Sequence, residues 1–167
     1  ACDFLRDYYK SNNIYPAKGT NNYYQSMELF INKKKVKTEN VAAVIKGSHF
    51  PNEYVILSAH LDHLGTNDKR QVYNGADDDG SGTVALLEIA EAFKLAFDDG
   101  KGPKRSLLFL HFTGEEKGLL GSKFYTENPL YPLPSTIADL NVDMIGRINP
   151  KRNSNNPNYI YLIGSDK

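Results

Sequence analysis

The fold is decided by the stretch from Tyr54 to Phe112, where two apolar runs flank a periodic segment. Its parts are YVILSAH (54–60), SGTVALLEIAEAFKLAF (81–97) and SLLFLHF (106–112). The first and last are short, continuous and rich in aliphatic residues, as strands buried on both faces are. The middle part repeats its apolar residues at helical spacing. We therefore predict a strand, a helix and a second strand, the unit from which α/β sheets are built.

The flanking segments extend this pattern in both directions. Further strands are expected at 24–30, 41–46, 138–144 and 159–163, and further helices at 1–10 and 119–126. Because a short turn-forming segment separates VAAVIK (41–46) from YVILSAH, we expect those two strands to be neighbours in the sheet. The alternation of strands and helices predicts an α/β fold of three layers, α/β/α, around a mixed, largely parallel sheet with right-handed crossovers.

The composition excludes several classes of function. The chain has 167 residues, and its 20 basic and 20 acidic residues give a net charge of zero. This balance argues against a protein that holds nucleic acid by bulk positive charge. The single cysteine, Cys2, excludes an internal disulfide and a cysteine-rich zinc module. Since Glu, His or Gly interrupts every long apolar stretch, no membrane span is expected, and no signal peptide is visible.

Acidic and imidazole side chains lie at the ends of the predicted strands and in the loop before the long helix. They are His60, Asp77, Asp78, Asp79, Glu115, Glu116 and Asp143. In such sheets ligands bind beyond the carboxyl ends of the strands, so we expect these side chains at one edge. Carboxylates packed together raise one another's pKa, and a divalent cation removes that conflict. Mixed imidazole and carboxylate ligands suit zinc, with manganese or cobalt as lesser candidates.

Each of these features also has a purely structural explanation. The acidic run at 77–79 could cap the helix that follows it. Glu115 and Glu116 could be surface charge, and His60 could be a histidine of the core. What favours a metal site is the coincidence of such features at the ends of successive strands.

The spacing within the motifs suggests individual roles. Residues i and i+2 of a strand face the same side, so we expect the Asp62 carboxylate to accept a hydrogen bond from the second ring nitrogen of His60. By the same alternation His63 should point away and not be a ligand. Of the adjacent pair, one glutamate would bind metal while the other takes a proton from a metal-bound water and passes it to a leaving group. This is the chemistry of metal-assisted acyl hydrolysis.

Four motifs resemble the zinc-dependent aminopeptidases of the bacterial leucyl aminopeptidase type. They are VILSAHLDHLG (55–65), NGADDDGSGTVALLEIA (74–90), FTGEEKGLLGSKFY (112–125) and LNVDMIGR (140–147). That superfamily of co-catalytic dizinc exopeptidases also holds glutamate carboxypeptidase-like and glutaminyl cyclase-like members. The resemblance spans residues 23 to 146 and implies the zinc-exopeptidase (phosphorylase/hydrolase-like) fold.

The resemblance implies two neighbouring zinc ions bridged by Asp78. His60 and Asp143 would complete one metal site, and Glu116 would hold the other ion. The resemblance also implies a cis peptide bond between Asp78 and Asp79.

The remaining roles implied by the resemblance are catalytic. Glu115 would be the general base and acid, with Asp62 as the partner of His60. The implied activity is hydrolysis of the N-terminal peptide bond of a peptide or aminoacyl substrate. The alternatives within the fold are a carboxypeptidase and a glutaminyl cyclase, and cyclases of this type use a single zinc. A metal-free binding module is disfavoured because every implied ligand named above is present.

The second metal of the resembled enzymes also takes a histidine from far downstream. No histidine follows His111, so the site of Asp78 and Glu116 is expected to lack its nitrogen ligand. We therefore expect residues 1–167 to be the N-terminal portion of a single zinc-peptidase catalytic domain. Such a portion would carry one zinc ion or partial occupancy and would be impaired or inactive alone. The resemblance further implies an exported protein, periplasmic or secreted.

Overall fold

A six-stranded sheet with helices on both faces forms the centre of the computed structural model, which describes residues 1–31, 33–152 and 156–164. The helices are α1 (Cys2–Ser11), α2 (Gly80–Asp98) and α3 (Leu120–Glu127). The strands are β1 (Tyr15–Pro16), β2 (Tyr24–Ile31), β3 (Lys34–Ile45), β4 (Phe50–His60), β5 (Gly65–Thr66), β6 (Val72–Tyr73), β7 (Arg105–Phe112) and β8 (Thr136–Asn141). Strands β5 and β6 form a separate small hairpin.

The main sheet is mixed, as expected, and its order is β1-β3-β7-β4-β8, with β2 also paired to β3. Strand β4 runs parallel to both β7 and β8, whereas β3 is antiparallel to its neighbours β1, β2 and β7. The expectation that β3 and β4 are neighbours is wrong, because β7 lies between them. The side chains of β7 are buried along nearly its whole length, and a central position in the sheet provides that burial.

Alternating residues of the strands form two cores, one on each face of the sheet. On one face Ala43 and Phe109 pack in a cluster with residues of α1 and α2, including Tyr9 and Leu86. On the other face the cluster includes Tyr125 of α3. Helices therefore cover both faces, which confirms the predicted three-layer architecture.

The ends of the sheet depart from the sequence predictions. Strand β8 ends at Asn141, so Asp143 lies in the loop beyond it. Ile137 and Leu140 of this strand are each 55% exposed. The strand expected at 159–163 is wrong, since those residues have no strand conformation and Ile163 is 97% exposed. Their alternating aromatic and aliphatic residues favour a strand, but a strand also needs a partner edge.

The parallel strands bring their carboxyl ends to one edge of the sheet. His60 at the end of β4 is in register with Phe112 at the end of β7, and Ser58 is in register with Asn141 of β8. The loops that carry the predicted site residues therefore leave the sheet side by side, as expected for such sheets.

A buried asparagine ties the turn after β7 to the rest of the sheet. Asn40 of β3 is fully buried, and its amide nitrogen donates to the Gln25 side chain and to the Gly121 carbonyl, each at 3.0 Å. Its side-chain oxygen accepts from the backbone N–H of Thr113 at 3.1 Å. A Cβ atom at Gly121 would lie only 2.4 Å from the Thr113 carbonyl, so glycine is required for this close approach.

Replacing Asn40 by alanine should lower the free energy of unfolding by about 2–4 kcal/mol, because it removes the hydrogen bonds that Asn40 makes to the buried Thr113 N–H, the buried Gln25 side chain and the Gly121 carbonyl. Urea denaturation measures this loss. The matched control is Asn52→Ala at an exposed position, which should change stability by less than about 0.5 kcal/mol. Equal stability of the two variants would contradict the role assigned to Asn40.

Candidate metal centre

The predicted site residues meet at the carboxyl edge of β4, β7 and β8 in two adjacent groups. The first group is His60, Asp79 and Asp143, and the second is His63, Asp78 and Glu116. Within each group the ligand atoms lie within 4.8 Å of one another. The structure therefore brings together His60, Asp78, Glu116 and Asp143, the four residues proposed as ligands, and it places beside them His63, which was expected to point away, and Asp79, which was considered only as a helix cap.

His60 is held in an orientation that suits a metal ligand. Its side chain is 4% exposed, and ring atom Nδ1 lies 3.0 Å from the backbone carbonyl of Asp62. Because a carbonyl only accepts, Nδ1 donates and Nε2 is left as the basic nitrogen. Nε2 lies 2.9 Å from Oδ1 of Asp78.

The hydrogen bond expected between the His60 ring and the Asp62 carboxylate does not form. Its Oδ1 lies 3.8 Å from Nδ1 of His60, too far for a hydrogen bond. Strand β4 ends at His60, so the alternation that predicted the contact does not extend to Asp62. The carboxylate accepts instead from the backbone N–H groups of Glu115 at 3.0 Å and Glu116 at 3.4 Å. Asp62 therefore fixes the backbone of the turn that carries both glutamates.

Asp79 joins three elements through backbone hydrogen bonds. Its carboxylate is 2% exposed and accepts from Gly82 at the start of α2 at 3.0 Å, from His60 at 3.2 Å and from Met144 at 3.3 Å. Burial, reinforced by the nearby Asp143 charge, raises the pKa of Asp79 to about 6. Backbone donors contact both of its oxygens, so Asp79 fixes the relative positions of these three elements.

Asp78 occupies the position expected of a shared ligand. It contacts His60 of the first group and belongs to the second group with His63 and Glu116. The peptide bond between Asp78 and Asp79 is cis, as the resemblance implies.

Asp143 reaches the site from the loop after β8. The preceding acidic residue of the motif, Asp77, anchors this loop because its Oδ1 accepts from the backbone N–H of Gly146 at 2.8 Å. Partial burial, with the charges of Asp78 and Glu116, raises the pKa of Asp143. A cation at the site would relieve the part of this shift that comes from the neighbouring carboxylates.

Glu115 stands beside the two groups rather than within them. It begins a short 3-10 helix (Glu115–Lys117) directly after Gly114, whose φ of 68° is the left-handed conformation that glycine adopts without strain. Its Oε2 lies 4.0 Å from Nε2 of His60, and it faces a cleft of about 220 Å³ that Ser58 and Phe112 also line. Burial, assisted by the charge of Glu116, raises the pKa of Glu115.

The expectation that His63 points away from the site is also wrong. Its Nδ1 lies 2.7 Å from Oε1 of Glu116, because the chain leaves the strand at His60 and turns toward the β7 edge. The sequence signal that could have placed His63 at the site is its position three residues after His60, beyond the end of the strand.

The donor atoms fit a divalent cation. Burial lowers the pKa of His60, but the carboxylates of Asp62, Asp79, Glu115 and Asp143 outweigh that effect and raise it to about 9. Within the part of the chain that the structure describes, the buried atoms Nδ1 of His63 and Oε1 of Glu116 have no hydrogen-bond partner. A cation bound between these side chains would neutralise the excess negative charge and give both atoms a partner, and imidazole with carboxylate is a donor set that zinc accepts.

Comparison with known proteins gives a family model and several relatives. The model of peptidase family M28 matches residues 40–162. A probable glutamate carboxypeptidase of Zea mays is 38% identical over 112 residues, which cover 66% of this chain and 15% of the relative. A probable zinc metalloprotease of Pyrenophora teres f. teres is 32% identical over 130 residues, 77% of this chain and 27% of the relative.

A solved structure shows the same arrangement of elements. A zinc aminopeptidase from Bacillus subtilis matches with a TM-score of 0.53 and 28% identity, over 66% of this chain and 25% of that one. The chain thus spans less than a third of the length of each of these proteins. No helix in the described part of the chain combines the length and hydropathy that a membrane span requires.

Zinc binding to the metal-free protein at pH 7 should release about one proton from His60. With a pKa near 9 the ring is protonated at pH 7, so the metal must displace that proton, and the apparent affinity should rise about tenfold per pH unit until about pH 9. Calorimetry in two buffers of different ionisation enthalpy measures the proton release. His60→Ala should abolish it, whereas the exposed control His49→Ala should retain it. Equal release by both variants would refute the assignment.

Proposed function

The chain belongs to peptidase family M28, a family of metallopeptidase hydrolases, and from this premise we propose that it forms part of an aminopeptidase. This enzyme would hydrolyse the N-terminal peptide bond of its substrate. The observation that carries the proposal is the position of Glu115. Its carboxylate faces an open cleft 4.0 Å from His60, next to two groups of metal-binding side chains.

We propose zinc as the cofactor, with two ions in the active enzyme. His60, Asp78 and Asp143 would hold one ion, and Glu116 would hold the other together with the shared Asp78. Support comes from the mixed imidazole and carboxylate donors, from the zinc metalloprotease relative and from the zinc aminopeptidase structure.

A divalent cation at this site supplies Lewis acidity, which makes a water molecule more acidic and a carbonyl carbon more electrophilic. Glu115 accepts a proton from that water at Oε2 as the water oxygen forms its bond to the carbonyl carbon. When the carbon–nitrogen bond breaks, Glu115 returns the proton to the departing amine nitrogen. The raised pKa of Glu115 suits both steps, because a general acid–base group works best with a pKa near the operating pH.

The position of Glu115 depends on the residues around it. Asp62 holds the Glu115 backbone N–H at 3.0 Å, and Gly114 provides the left-handed turn that directs the chain back over the site. A change at either residue would displace the base without removing it, and small displacements of a catalytic group are costly.

Carboxypeptidase activity is the second candidate, and the maize relative named as a probable glutamate carboxypeptidase favours it. The metal and base chemistry is the same for both activities, so the groups that bind the end of the substrate decide between them. An unblocked aminoacyl anilide, its N-acetylated form and an N-acetylated dipeptide with a free carboxylate separate the two. Cleavage of the unblocked anilide alone would support aminopeptidase activity. Cleavage of the free-carboxylate dipeptide alone would contradict it and would support carboxypeptidase activity.

We also propose that these residues act within a longer catalytic domain of an exported enzyme. The small fraction of each relative that the chain covers supports the first part. A cleaved signal sequence on the mature full-length protein would support the second, and its absence there would oppose it.

Glu115→Gln should lower kcat of the full-length enzyme by about 10²–10⁴-fold while KM and zinc content stay near the wild-type values, because it removes only the proton-transfer group. Steady-state kinetics with the aminoacyl anilide and elemental analysis provide the readouts. The matched control is Glu127→Gln at an exposed site on α3, which should retain full activity. A Glu115→Gln enzyme with wild-type kcat would show that another group is the base.

A further inference from the structure

The hairpin of β2 and β3 extends past the edge of the sheet that carries the candidate site. Val41 of β3 pairs with His111 near the carboxyl end of β7, and the earlier residues of β3 continue beyond that end. At a rise of about 3.3 Å per residue, Lys34 lies roughly 13 Å beyond Thr38 along the strand. We call residues 28–31 and 33–37 of this hairpin the arm.

The base of the arm contacts the turn that carries Glu115. The hydroxyl oxygens of Thr38 and Thr113 lie 3.1 Å apart. A Cβ atom at Gly114 would lie 3.6 Å from Cδ1 of Leu29, which is an ordinary packing distance. Because Gly114 immediately precedes Glu115, the arm leaves the sheet beside the proposed catalytic base.

The arm is strongly basic. On β3 and the turn before it the arm has four exposed lysines and no acidic residue: Lys33, Lys34, Lys35 and Lys37. Lys35 forms an ion pair across the hairpin with Glu28, the one acidic residue of the arm. The other three lysines have no ion-pair partner among the residues that the structure describes. The arm therefore presents positive charge to solvent and suits a negatively charged ligand.

The arm also has an open strand edge. Strand β2 pairs with one side of β3 along the arm, whereas the pairing of β3 with β7 on the other side begins only at Val41. In the described ranges of the chain, no strand pairs with that other side of residues 34–40. Such an edge can bind an extended peptide, because its free N–H and C=O groups hydrogen-bond the added strand. A lipid surface would use the positive charge but not this edge.

We propose that the arm binds the leaving part of an acidic peptide substrate. The extended peptide lies along the open edge of β3, and Lys33, Lys34 and Lys37 contact carboxylates that follow the scissile bond. The length of the arm matches roughly four extended residues, which places these carboxylates about three to five positions after that bond. The proposal rests on the aminopeptidase function proposed above and specifies the class of its substrate.

Two variants of the full-length protein with equal loss of charge test the proposal. The arm variant combines Lys33→Gln, Lys34→Gln and Lys37→Gln. The control variant removes exposed lysines near the opposite edge of the sheet, where β3 ends and β7 begins: Lys46→Gln, Lys101→Gln and Lys104→Gln.

Binding is measured without hydrolysis, with Glu115→Gln added to every protein. The probe is a fluorescent peptide with glutamates at its fourth, fifth and sixth residues, and its anisotropy gives the Kd. The arm variant should bind this peptide about 5–20-fold more weakly than the control variant, because each exposed ion pair contributes a factor of about 1.5–5. The difference should shrink at high ionic strength, since salt screens exposed charges.

Hydrolysis is measured with Glu115 restored. In the arm variant the ratio of kcat/KM for the acidic peptide to kcat/KM for the aminoacyl anilide should fall by a similar factor, because the anilide has no residues that reach the arm. A protein that binds the acidic peptide through the arm but cleaves neither compound would overturn the aminopeptidase function and leave the arm as a peptide-binding site.

Three outcomes would overturn the role of the arm. The first is equal affinity of the arm and control variants for the acidic peptide. The second is a wild-type arm that binds the same peptide with lysines in place of the glutamates equally well. The third is unchanged peptide binding in an arm variant that loses only its binding to anionic lipid vesicles, or that only gains self-association. The lysines would then serve a membrane contact, or would protect the open edge from aggregation.

Discussion

The site depends on one buried carboxylate. Asp79 accepts backbone hydrogen bonds from the end of β4, the start of α2 and the loop after β8, and these segments carry or adjoin His60, Asp78 and Asp143. A buried charge is costly unless it is hydrogen-bonded, so the three segments must keep the spacing that satisfies it. The glycine at position 82 permits this arrangement, because a Cβ atom there would lie 2.3 Å from the Val142 carbonyl.

The acidic residues of the site divide into two kinds. Asp62, Asp77 and Asp79 bind backbone N–H groups and thereby fix the loops, whereas the ligand atoms of Asp78, Glu116 and Asp143 face the two candidate ion positions. Backbone amides provide hydrogen-bond donors to the first kind, and a cation would provide positive charge to the second. A cluster this acidic is compatible with a folded chain because its charges are distributed between these two kinds of partner.

Local patterns predicted the three helices, most of the long strands, the three layers and the edge at which the site lies, since apolar periodicity and strand-end residues are encoded within short segments. The order of the strands in the sheet could not be predicted from such local patterns. Burial of β7 is visible in its sequence, but its position between β3 and β4 depends on contacts between distant segments. The errors at Asp62 and His63 share one cause: period-two alternation was extended beyond His60, where the strand ends and side-chain direction is set by the loop.

Strand β8 also affects how these residues behave in solution. Among the described residues it forms one edge of the main sheet, and Ile137 and Leu140 are each 55% exposed there. An apolar strand with unpaired backbone groups can template pairing with another chain. Because the net charge is zero, electrostatic repulsion between chains near neutral pH does little to oppose such pairing. Preparations in which nothing covers this edge are therefore prone to concentration-dependent precipitation, which moving the pH away from neutrality would reduce.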